Sequence, residues 1–539
     1  MSGSLLAEAM DRHRAGDLAG AEAMYRRVLQ SQPKHVLALH FLSTLMVQKG
    51  NLAEGLRLAR RCTALHPDAA EYWRHQAGVL VRLGQNAEAL ASLDRAVALR
   101  PEEPDPWTNR GTVLAALGRY AEALASFDHA LALAPESAQA LANRGLALLE
   151  LRQPDAALET FDRILAAQPR DPLAHNNRGL ALQALDRHTD AVASFDQALA
   201  LSPAFPDALN HRGVSLQALG QASAALASYE QAMAQQPDDP WFHWNAGLCR
   251  LLMGDYARGW SDYEWRLRAI ATPRFDKPLW QGEPLKGRTL LLHTEQGLGD
   301  IIQFCRYAPL IRGAGRVILQ VPAVLVALLR SLPPPVEVVP AGIRPPRFDL
   351  HCPLLSVPAR FGSTVETLPR TVPYLTVPPG PVPQFGVGRT IGICWQGNPA
   401  VRIDPERSVP LARFAPLAAV PGVRLVSLQK GHGLDQLPAL PGIETFGPDG
   451  PASFVATAAT MLALDLVVTS DTVVAHLAGA LGCPVWLATS FVPDWRWGLT
   501  GETCPWYPTM RLFRQPRRGD WEAVFAAMAA ALRADAALP

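Results

Sequence analysis

The feature that most constrains this chain is a 34-residue period that runs through its first half. Prolines recur at positions 33, 67, 101, 135, 169, 203 and 237. Glycines recur with the same spacing at 16, 50, 84, 118, 220 and 254, and Arg152 and Asp186 occupy the two other positions of that register. Such a period predicts a solenoid, in which each repeat buries its apolar face only against its neighbours.

Two further registers indicate how the helices of each repeat pack. One holds only small residues, at Ala21, Gly55, Ala89, Ala123, Ala157, Ala191, Ala225 and Gly259. The other is mostly aromatic, at Tyr25, Phe127, Phe161, Phe195, Tyr229 and Tyr263, with Ala59 and Leu93 as exceptions. Small residues let two helices approach closely, and the rings fill the space between repeats. The glycine ends the first helix of a repeat in a left-handed conformation, and the proline begins the next turn.

These registers resemble those of tetratricopeptide repeats, and the match covers about residues 2–268. The resemblance implies an all-α tetratricopeptide-repeat superhelix of about eight repeats, which we assign to residues 1–270. Its concave face is lined by the first helix of each repeat.

A row of polar side chains lies two residues before the small residue of each first helix. Its members are His75, Asn109, Asn143, Asn177, His211 and Asn245. An amide can bond the backbone of an extended peptide whatever its sequence, so we predict that this ladder binds a polypeptide partner. A similar asparagine ladder is found in the O-linked N-acetylglucosamine transferases. The alternative is that these side chains are solvated or bond neighbouring repeats.

An arginine follows four members of the ladder, at Arg110, Arg144, Arg178 and Arg212. These arginines either contact an acidic partner or form ion pairs within the array.

The pattern changes after residue 270, where a Pro- and Gly-rich linker over 271–288 precedes apolar runs separated by helices. Such alternation predicts an α/β fold. The strand candidates are Thr289–His293, Arg316–Val321, Val336–Val339, Thr390–Cys394, Arg424–Leu428, Leu466–Thr469 and Val485–Ala488. The helix candidates are Asp300–Arg312, Ala323–Ser331, Leu411–Ala418, Pro451–Leu462, Thr472–Leu481 and Asp520–Ala537. A second Pro-rich stretch divides the region into Rossmann-like domains over 289–388 and 389–539.

Polar loops follow three of these strands. The first holds Gly297, Gly299 and Asp300, and Asp300 is either a functional carboxylate or the cap of the next helix. The second holds Asn398, Arg402 and Arg407. The third holds Ser470, Asp471 and Thr472 at the start of a helix that carries His476, where hydroxyls and backbone N–H groups can bind an anion.

The blocks Ser470–Val485 and Gly297–Asp300 resemble the heptosyltransferase-type glycosyltransferases of GT-B fold. The resemblance implies that Asp300 is the base that deprotonates the acceptor, and that Arg407, or alternatively Arg402, contacts the donor diphosphate. It also implies that Asp471, Thr472 and His476 hold the donor and that the final helix packs back across the sheets. Lysine is usual where Arg407 stands, but arginine can still clamp a diphosphate. Neither a metal nor a cofactor is expected besides the nucleotide-sugar co-substrate.

A Trp- and Arg-rich segment near the C-terminus allows two interpretations. Trp495, Trp497 and Trp506 either stack on a base or sugar, or pack in the core.

Composition excludes several other classes of protein. The formal net charge is +1, from 50 basic and 49 acidic residues, which gives no reason to expect nucleic acid or an anionic membrane as partner. The seven cysteines form no C-x-x-C pair, so we expect buried free thiols. The N-terminus does not read as a signal peptide and no apolar run is long enough to span a bilayer, so a cytoplasmic location is expected.

The two halves together resemble the O-linked N-acetylglucosamine transferases and the bacterial flagellin glycosyltransferases. The resemblance implies transfer of a sugar from a nucleotide-sugar to Ser or Thr of a protein held by the repeats, with a flagellin-type acceptor as one candidate. Two alternatives stay open. One is an inactive repeat scaffold, and the other is a transferase that acts on a lipid or polysaccharide.

Overall fold

The computed structural model describes residues 2–399, 404–446 and 453–536. The chain divides into two compact units, one that extends as far as Ser215 and one that begins at Leu216. We describe each unit by itself.

The region up to residue 269 is entirely helical. Its helices are α1 Ser2–Arg14, α2 Leu18–Ser31, α3 Val36–Gln48, α4 Leu52–Leu65, α5 Ala70–Arg82, α6 Asn86–Leu99, α7 Pro104–Ala116, α8 Tyr120–Leu133, α9 Ala138–Glu150, α10 Pro154–Ala167, α11 Pro172–Ala184, α12 His188–Leu201, α13 Pro206–Ala218, α14 Ala222–Gln235, α15 Pro240–Leu252, α16 Tyr256–Tyr263 and α17 Arg266–Ala269. Helices α1–α12 form six pairs in the first unit, and the predicted all-α repeat region is confirmed. Short turns make the two helices of each pair adjacent.

The glycine register occupies the left-handed turn between the helices of each pair. The glycines at 16, 50, 84, 118, 220 and 254 have φ between 72° and 86°. Arg152 and Asp186 adopt the same conformation, with φ of 58° and 61°. The period therefore fixes the backbone even where the glycine is missing.

The aromatic register packs directly on a glycine of the preceding helix. A β-carbon added to Gly111, Gly145 or Gly179 would lie 2.4 Å from the ring of the aromatic residue sixteen positions later. Those rings belong to Phe127, Phe161 and Phe195, all fully buried. Only a helix without a side chain at this point leaves room for the ring.

The second unit contains two parallel sheets. The strands are β1 Thr289–His293, β2 Arg316–Val321, β3 Val336–Pro340, β4 Leu350–Pro353, β5 Arg389–Cys394, β6 Val423–Ser427, β7 Leu466–Ser470, β8 Val485–Thr489 and β9 Met510–Arg514. The first sheet has the order β3-β2-β1-β4 and the second β6-β5-β7-β8-β9. The predicted α/β class is confirmed, and every predicted strand is present to within one residue at either end.

Helices lie between the strands and after the last of them. They are α18 Leu298–Phe304, α19 Ala323–Leu329, α20 Val357–Arg360, α21 Asp404–Arg407, α22 Ala415–Ala418, α23 Phe454–Leu462, α24 Val473–Ala480 and α25 Trp521–Ala536. The 3-10 segments are Cys305–Leu310, Leu354–Ser356, Leu411–Phe414, Leu434–Ala439 and Trp495–Trp497. The helix expected over Asp300–Arg312 is wrong in its second half, because Pro309 lies there and cannot donate to an α-helical ladder.

Two strands were not predicted. The strand β4 has only four residues and ends on Pro353, so it lacks a recognisable apolar run. The strand β9 carries Arg511 and Arg514 within a segment rich in tryptophan and proline. Both lie at the end of their sheet, and on the outer side each makes an isolated bridge in the part of the chain that the structure describes, Leu279 with His351 and Thr503 with Arg511.

The last repeat shares a core with the α/β region. Tyr256, Trp260 and Tyr263 are buried in the same apolar cluster as strands β1 and β2. The indole N–H of Trp260 donates to the carbonyl of Ser363 at 2.8 Å. These helices therefore belong physically to the second unit.

The final helix α25 packs on the second sheet and not across both sheets. Phe525 lies 4.4 Å from Phe414, ring centre to ring centre, and joins a core cluster whose members all come from residue 391 onward. That cluster covers one face of the second sheet, including Ile393 and Trp486.

All seven cysteines are free and buried, as expected. Within the described ranges, no helix is both long and apolar enough to cross a bilayer.

Candidate functional site

In the second unit, the points at which the strand order of each sheet changes direction lie close together. In the first sheet the chain order reverses beside β1, and in the second it reverses between β5 and β7. Ligands of open α/β sheets bind outside the carboxyl ends of the strands at such points. The loops that follow β1, β7 and β8 meet there, and we call the group Asp300, Asp471, His476, Asp494 and Arg496 the inter-sheet site.

The glycine loop after β1 brings the first sheet into contact with the second. A β-carbon on Gly299 would lie 2.7 Å from Cδ2 of His476, which explains why this position has no side chain. The Gly297 N–H donates to Oδ2 of Asp300 at 2.9 Å. Asp300 thus caps α18 from its third position while its side chain stays 19% exposed.

Arg496 holds the other oxygen of Asp300. Its guanidinium pairs with Oδ1 of Asp300, donates to Oδ1 of Asp494 at 2.8 Å and donates to Oε1 of Gln303 at 2.6 Å. Burial raises the pKa of Asp300 and the charge of Asp494 adds to the rise, whereas Arg496 opposes it. Sequence reasoning missed Arg496 and Asp494, because Arg496 lies 196 residues from Asp300 in the sequence. It also missed Gln303, which lies on the same helix as Asp300 but is placed in the site by its bond to Arg496.

The turn after β7 places three predicted residues in different environments. Asp471 is half-buried, and burial together with the charge of Asp494 raises its pKa to about 6. The Ser470 hydroxyl is fully buried and has no partner among the described residues. The Thr472 hydroxyl accepts from the Val474 N–H at 3.3 Å and so caps α24.

The Thr472 cap is itself fixed by Thr469. The Thr469 hydroxyl donates to the carbonyl of Ser470 at 2.8 Å. Its single proton is then used, so Thr472 donates to Thr469 over their 3.1 Å separation. Thr472 therefore shapes the turn with both its donor and its acceptor.

His476 is a buried, neutral histidine. Its Nδ1 lies 3.0 Å from the Tyr507 hydroxyl, and its ring stacks on Trp497 with centroids 5.2 Å apart. Burial and the nearby guanidinium groups of Arg496, Arg306 and Arg407 lower its pKa well below the ordinary value.

The loop after β5 supplies Arg407 and Asn398. Arg407 lies half-buried on α21, and its positive charge lowers the pKa values of Asp300, Asp471 and His476. Asn398 is exposed on the same loop. Arg402, the alternative phosphate contact, lies outside the described residues.

The tryptophans of the C-terminal segment are core residues. Trp495 and Trp506 are 4% and 0% exposed, and both pack on Tyr256. The core interpretation therefore holds for these two. Trp497 is also buried, but it borders the site, where its indole N–H lies close enough to Asp471 to lower the pKa of that carboxyl.

A buried ion pair braces the glycine loop from the repeat side. The side chains of Arg266 and Glu295 are both completely buried and their charged atoms lie 2.8 Å apart. Arg266 also donates to Ser356 at 2.9 Å. Glu295 comes directly before the glycine loop, so the last repeat helps to fix where that loop begins.

In the first unit, part of the predicted ladder lines a groove of about 650 Å³. Helices α3, α5 and α7 form most of it, and His75 and Asn109 lie in its wall. Asn109 is exposed. His75 is held from behind, because Ser43 donates to the Gly55 carbonyl at 2.7 Å and so accepts from Nε2 of His75 at 2.8 Å.

Other members of the ladder bond their neighbours. The Asn143 amide donates to Thr112 at 3.1 Å. Asn177 is 4% exposed and accepts from Asn176, whose own oxygen lies 3.0 Å from Nδ1 of His211. Asn245 is half-buried on α15 of the second unit. The alternative of bonds between repeats therefore applies to part of the row.

The arginines that follow the ladder form ion pairs within the array. Each pairs with the aspartate sixteen residues before it, in the second helix of the preceding repeat. The pairs are Arg110–Asp94 at 2.7 Å, Arg144–Asp128 at 2.7 Å, Arg178–Asp162 at 2.6 Å and Arg212–Asp196 at 2.7 Å. This aspartate register has the same 34-residue period and could have been read from the sequence.

Comparison with known families identifies the repeats. Tetratricopeptide-repeat models match residues 12–79, 85–147, 143–208, 176–240 and 210–263. The first half of the chain is therefore built of tetratricopeptide repeats, which confirms the resemblance seen in the sequence.

Protein FlbA of Caulobacter vibrioides is 30% identical to this chain over 52% of the chain. The match covers 53% of that protein, so the chain spans about half the length of this curated relative.

Solved structures that resemble the chain include tetratricopeptide-repeat proteins. A tetratricopeptide repeat protein from Parabacteroides merdae is 19% identical, with a TM-score of 0.40, and covers 46% of this chain and 98% of its own. TTC0263 of Thermus thermophilus is 24% identical, with a TM-score of 0.31, and covers 34% and 100%. YrrB is 23% identical, with a TM-score of 0.29, and covers 34% and 95%.

Proposed function

We propose that this chain transfers a sugar from a nucleotide-activated donor to a hydroxyl group, and that its tetratricopeptide repeats hold the polypeptide that carries the hydroxyl. The observation that carries the proposal is the inter-sheet site. Two parallel sheets meet there at their switch points with an accessible carboxylate on one side and a polar turn on the other. An acceptor and a donor need these two kinds of surface.

In this proposal the acceptor oxygen attacks the anomeric carbon of the donor sugar. The bond from that carbon to the diphosphate oxygen breaks, and the hydroxyl proton passes to Asp300. Burial raises the pKa of Asp300, which makes its carboxylate a better proton acceptor than an exposed one. The Asp300 side chain is 19% exposed, and in this proposal the acceptor approaches from that exposed part.

The leaving diphosphate needs positive charge, and Arg407 supplies it beside the turn after β7. A guanidinium can bond a diphosphate through two N–H groups at once. The unpartnered Ser470 hydroxyl is a buried polar group that a bound donor would satisfy. Asp471 would accept from a sugar hydroxyl.

For the acceptor, we propose Ser or Thr of a protein, of flagellin type as one candidate. The groove in the first unit supports this, because it is lined by His75 and Asn109 together with charged side chains of both signs, among them Glu71 and Arg74. Such a lining suits a polar peptide backbone better than an acyl chain.

One observation favours a second function, that of an inactive scaffold. Both oxygens of Asp300 are already bonded, one to Arg496 and one to the Gly297 N–H. The Thr472 hydroxyl is likewise committed to the cap of α24. A site whose polar groups satisfy one another can persist for stability alone.

A thermal-shift screen against UDP-, GDP-, ADP-, CMP- and dTDP-sugars separates the two functions. A donor that binds only the native state at 100 times its Kd stabilises it by about 2.7 kcal/mol. We expect one nucleotide class to stabilise the protein and the Arg407→Ala variant to lose that stabilisation. The control is Arg413→Ala, whose exposed ion pair with Glu522 lies outside the site. A folded protein that no donor stabilises would favour the scaffold.

The acceptor is tested with a radiolabelled donor on an array of Ser- and Thr-containing peptides. Label should enter these peptides and not copies in which alanine replaces each hydroxyl residue. Asn109→Ala should weaken capture of the labelled peptides without lowering the melting temperature, because Asn109 is exposed. Label that enters only lipid or polysaccharide would contradict a protein acceptor.

A further inference from the structure

Arg496 is a buried charged group that links the two sheets of the second unit. Its side chain is 7% exposed, and it reaches across from the loop after β8 to α18 of the first sheet. Its guanidinium contacts Asp300, Asp494 and Gln303, and it lies 4.4 Å over the ring of Trp495. These contacts join the loop after β8 to α18, so Arg496 and its partners constrain one another's positions.

Two carboxylates share this one guanidinium. Asp494 binds NH1 of Arg496 at 2.8 Å and also accepts the Arg496 backbone N–H at 3.0 Å. Asp300 binds NH2. Asp494 therefore competes with Asp300 for the same positive charge, and its own negative charge repels that of Asp300.

We propose that Arg496 is a positioning residue that orients Asp300 and keeps its carboxylate charged, and that Asp494 limits how strongly it does so. This inference rests on the proposed function, in which Asp300 accepts the proton of the acceptor hydroxyl. Arg496 touches neither the transferred sugar nor the acceptor in this arrangement. Its effect passes through Oδ1 and the charge of Asp300.

Other charged or titratable groups also face Asp300. They come from its own loop, from the last repeat, from the loops after β5 and β8, and from α24 through the contact with Gly299. These groups are Glu295, Tyr263, Arg407, Asp494, Arg496 and His476. Arg496 and Asp494 have the largest charge effects on Asp300, and the effects are of opposite sign.

The opposite signs give a test that a merely structural role would not pass. A base must be ionised, so the rate falls as the pH drops through its pKa. In Arg496→Met the acidic limb of the kcat/KM profile should move to higher pH, and the rate at pH 7 should fall at least tenfold. In Asp494→Asn the same limb should move to lower pH. Arg496→Lys should restore part of the shift.

Matched controls come from an exposed ion pair in the same region. Arg511 and Glu502 lie 2.9 Å apart with 44% and 69% of their side chains exposed. Arg511→Met and Glu502→Gln remove the same charges, and neither should move the acidic limb. Repeating Asp494→Asn on an Asp471→Asn background assigns the limb, because the shift should persist if it belongs to Asp300.

Two results would overturn the inference. One is that the acidic limb stays in place, or moves in the same direction, in both variants. The other is that Arg496→Met loses the stabilisation by donor in the thermal-shift assay, which would make Arg496 a donor ligand.

A second measurement does not depend on activity. A double-mutant cycle of Arg496→Met and Asp300→Asn in urea unfolding should be non-additive at pH 8, and the non-additivity should shrink as Asp300 is protonated. Additive changes in the free energy of unfolding, both at pH 8 and at the lower pH where Asp300 is protonated, would refute the ion pair even if the wild-type protein transfers sugar. If the wild type binds no donor, the proposed function fails and this cycle still decides the ion pair.

Discussion

The carboxylate of Asp300 has two structural roles. Its Oδ2 accepts the Gly297 N–H and so begins α18, while its Oδ1 pairs with Arg496. A carboxylate has about four lone-pair positions, so these bonds leave room for a hydroxyl proton. The capping interpretation and the catalytic interpretation of this residue are therefore compatible.

Asp300→Asn separates these two interpretations. The amide oxygen can still accept the Gly297 N–H, and Arg496 keeps its bond to Asp494, so we expect a folded protein that still binds donor. Transfer should fall by about 10²–10⁴-fold, the usual contribution of a general base. Turnover at saturating donor measures this.

The matched control for Asp300→Asn is Asp465→Asn. Asp465 precedes β7 at the opposite end of the second sheet, where it accepts the Thr390 N–H at 2.7 Å. Full activity is expected there. Unchanged turnover of Asp300→Asn would remove this residue from the mechanism.

His75 makes the stability of the repeats depend on pH. Burial lowers its pKa to about 4, below the value of about 6.5 in an unfolded chain. The unfolded chain therefore binds the proton first, and the native state loses stability as the pH falls from about 6.5 towards 4. Above pH 7 the ring is neutral in both states and contributes no pH dependence.

His75→Gln should flatten this acid sensitivity, because glutamine can still donate to Ser43 and does not titrate. Urea unfolding at pH 7 and pH 5 measures it, and the variant should lose less stability than the wild type between the two. His129→Gln, at an exposed position on α8, should behave like the wild type. Equal losses in all three proteins would contradict a buried neutral His75.

At the scale of the element, each helix pair depends on one left-handed residue. Arg152 has a φ of 58°, and this left-handed conformation destabilises a residue with a β-carbon by about 1–2 kcal/mol. Asp186 is in the same conformation, but aspartate tolerates it better and its Oδ1 lies 3.0 Å from Nε2 of His188. The two substituted positions of the register are therefore not equally strained.

Arg152→Gly should stabilise the protein by up to about 1 kcal/mol, because the relief of backbone strain is partly offset by the greater freedom of glycine in the unfolded chain. Asp186→Gly should gain less or nothing. Thermal unfolding of both variants measures the difference. A larger gain at Asp186 would contradict the ranking.

The sequence predicted the elements whose patterns are local or periodic. Each repeat has the same helix pair, so every periodic register indicates the same structure. The parallel strands of the second unit are apolar runs that differ clearly from the helices around them. The strand β4 was not predicted, because a buried edge strand of four residues is too short to show a periodic pattern.

The site was only partly predictable. Asp300, Asp471 and His476 follow strands and lie in recognisable blocks, whereas Arg496 contacts Asp300 across 196 residues of sequence. Nothing near Arg496 in the chain identifies that partner. The ladder was also only partly predictable. The 34-residue period gives Asn109 and Asn177 equivalent positions, but local packing leaves Asn109 exposed and buries Asn177.

At the scale of the molecule, the last repeat is part of the α/β core. Tyr256, Trp260 and Tyr263 are buried there, and full burial of a large apolar side chain contributes about 1.5–3 kcal/mol. Arg266 is also the partner of the buried Glu295. The sum is comparable with the whole stability of a typical domain, about 5–15 kcal/mol.

A fragment of residues 271–539 should therefore fold poorly, whereas residues 216–539 should fold cooperatively. Removing Arg266 leaves Glu295 buried without its charge partner, which costs about 3–5 kcal/mol on its own. Circular dichroism melts and the dispersion of methyl NMR signals distinguish the two fragments. Equal, cooperative melting of both would show that the α/β region does not need the last repeat.

This shared core has a consequence for how the protein can change over time. The repeats before Ser215 are built on one 34-residue period, so gain or loss of such a unit there alters how long a stretch of polypeptide can be engaged. The repeat that carries Trp260 and Arg266 cannot be exchanged in the same way, because its sequence is constrained by the strands beneath it. Duplication of a repeat should thus be tolerated early in the array and selected against at its end.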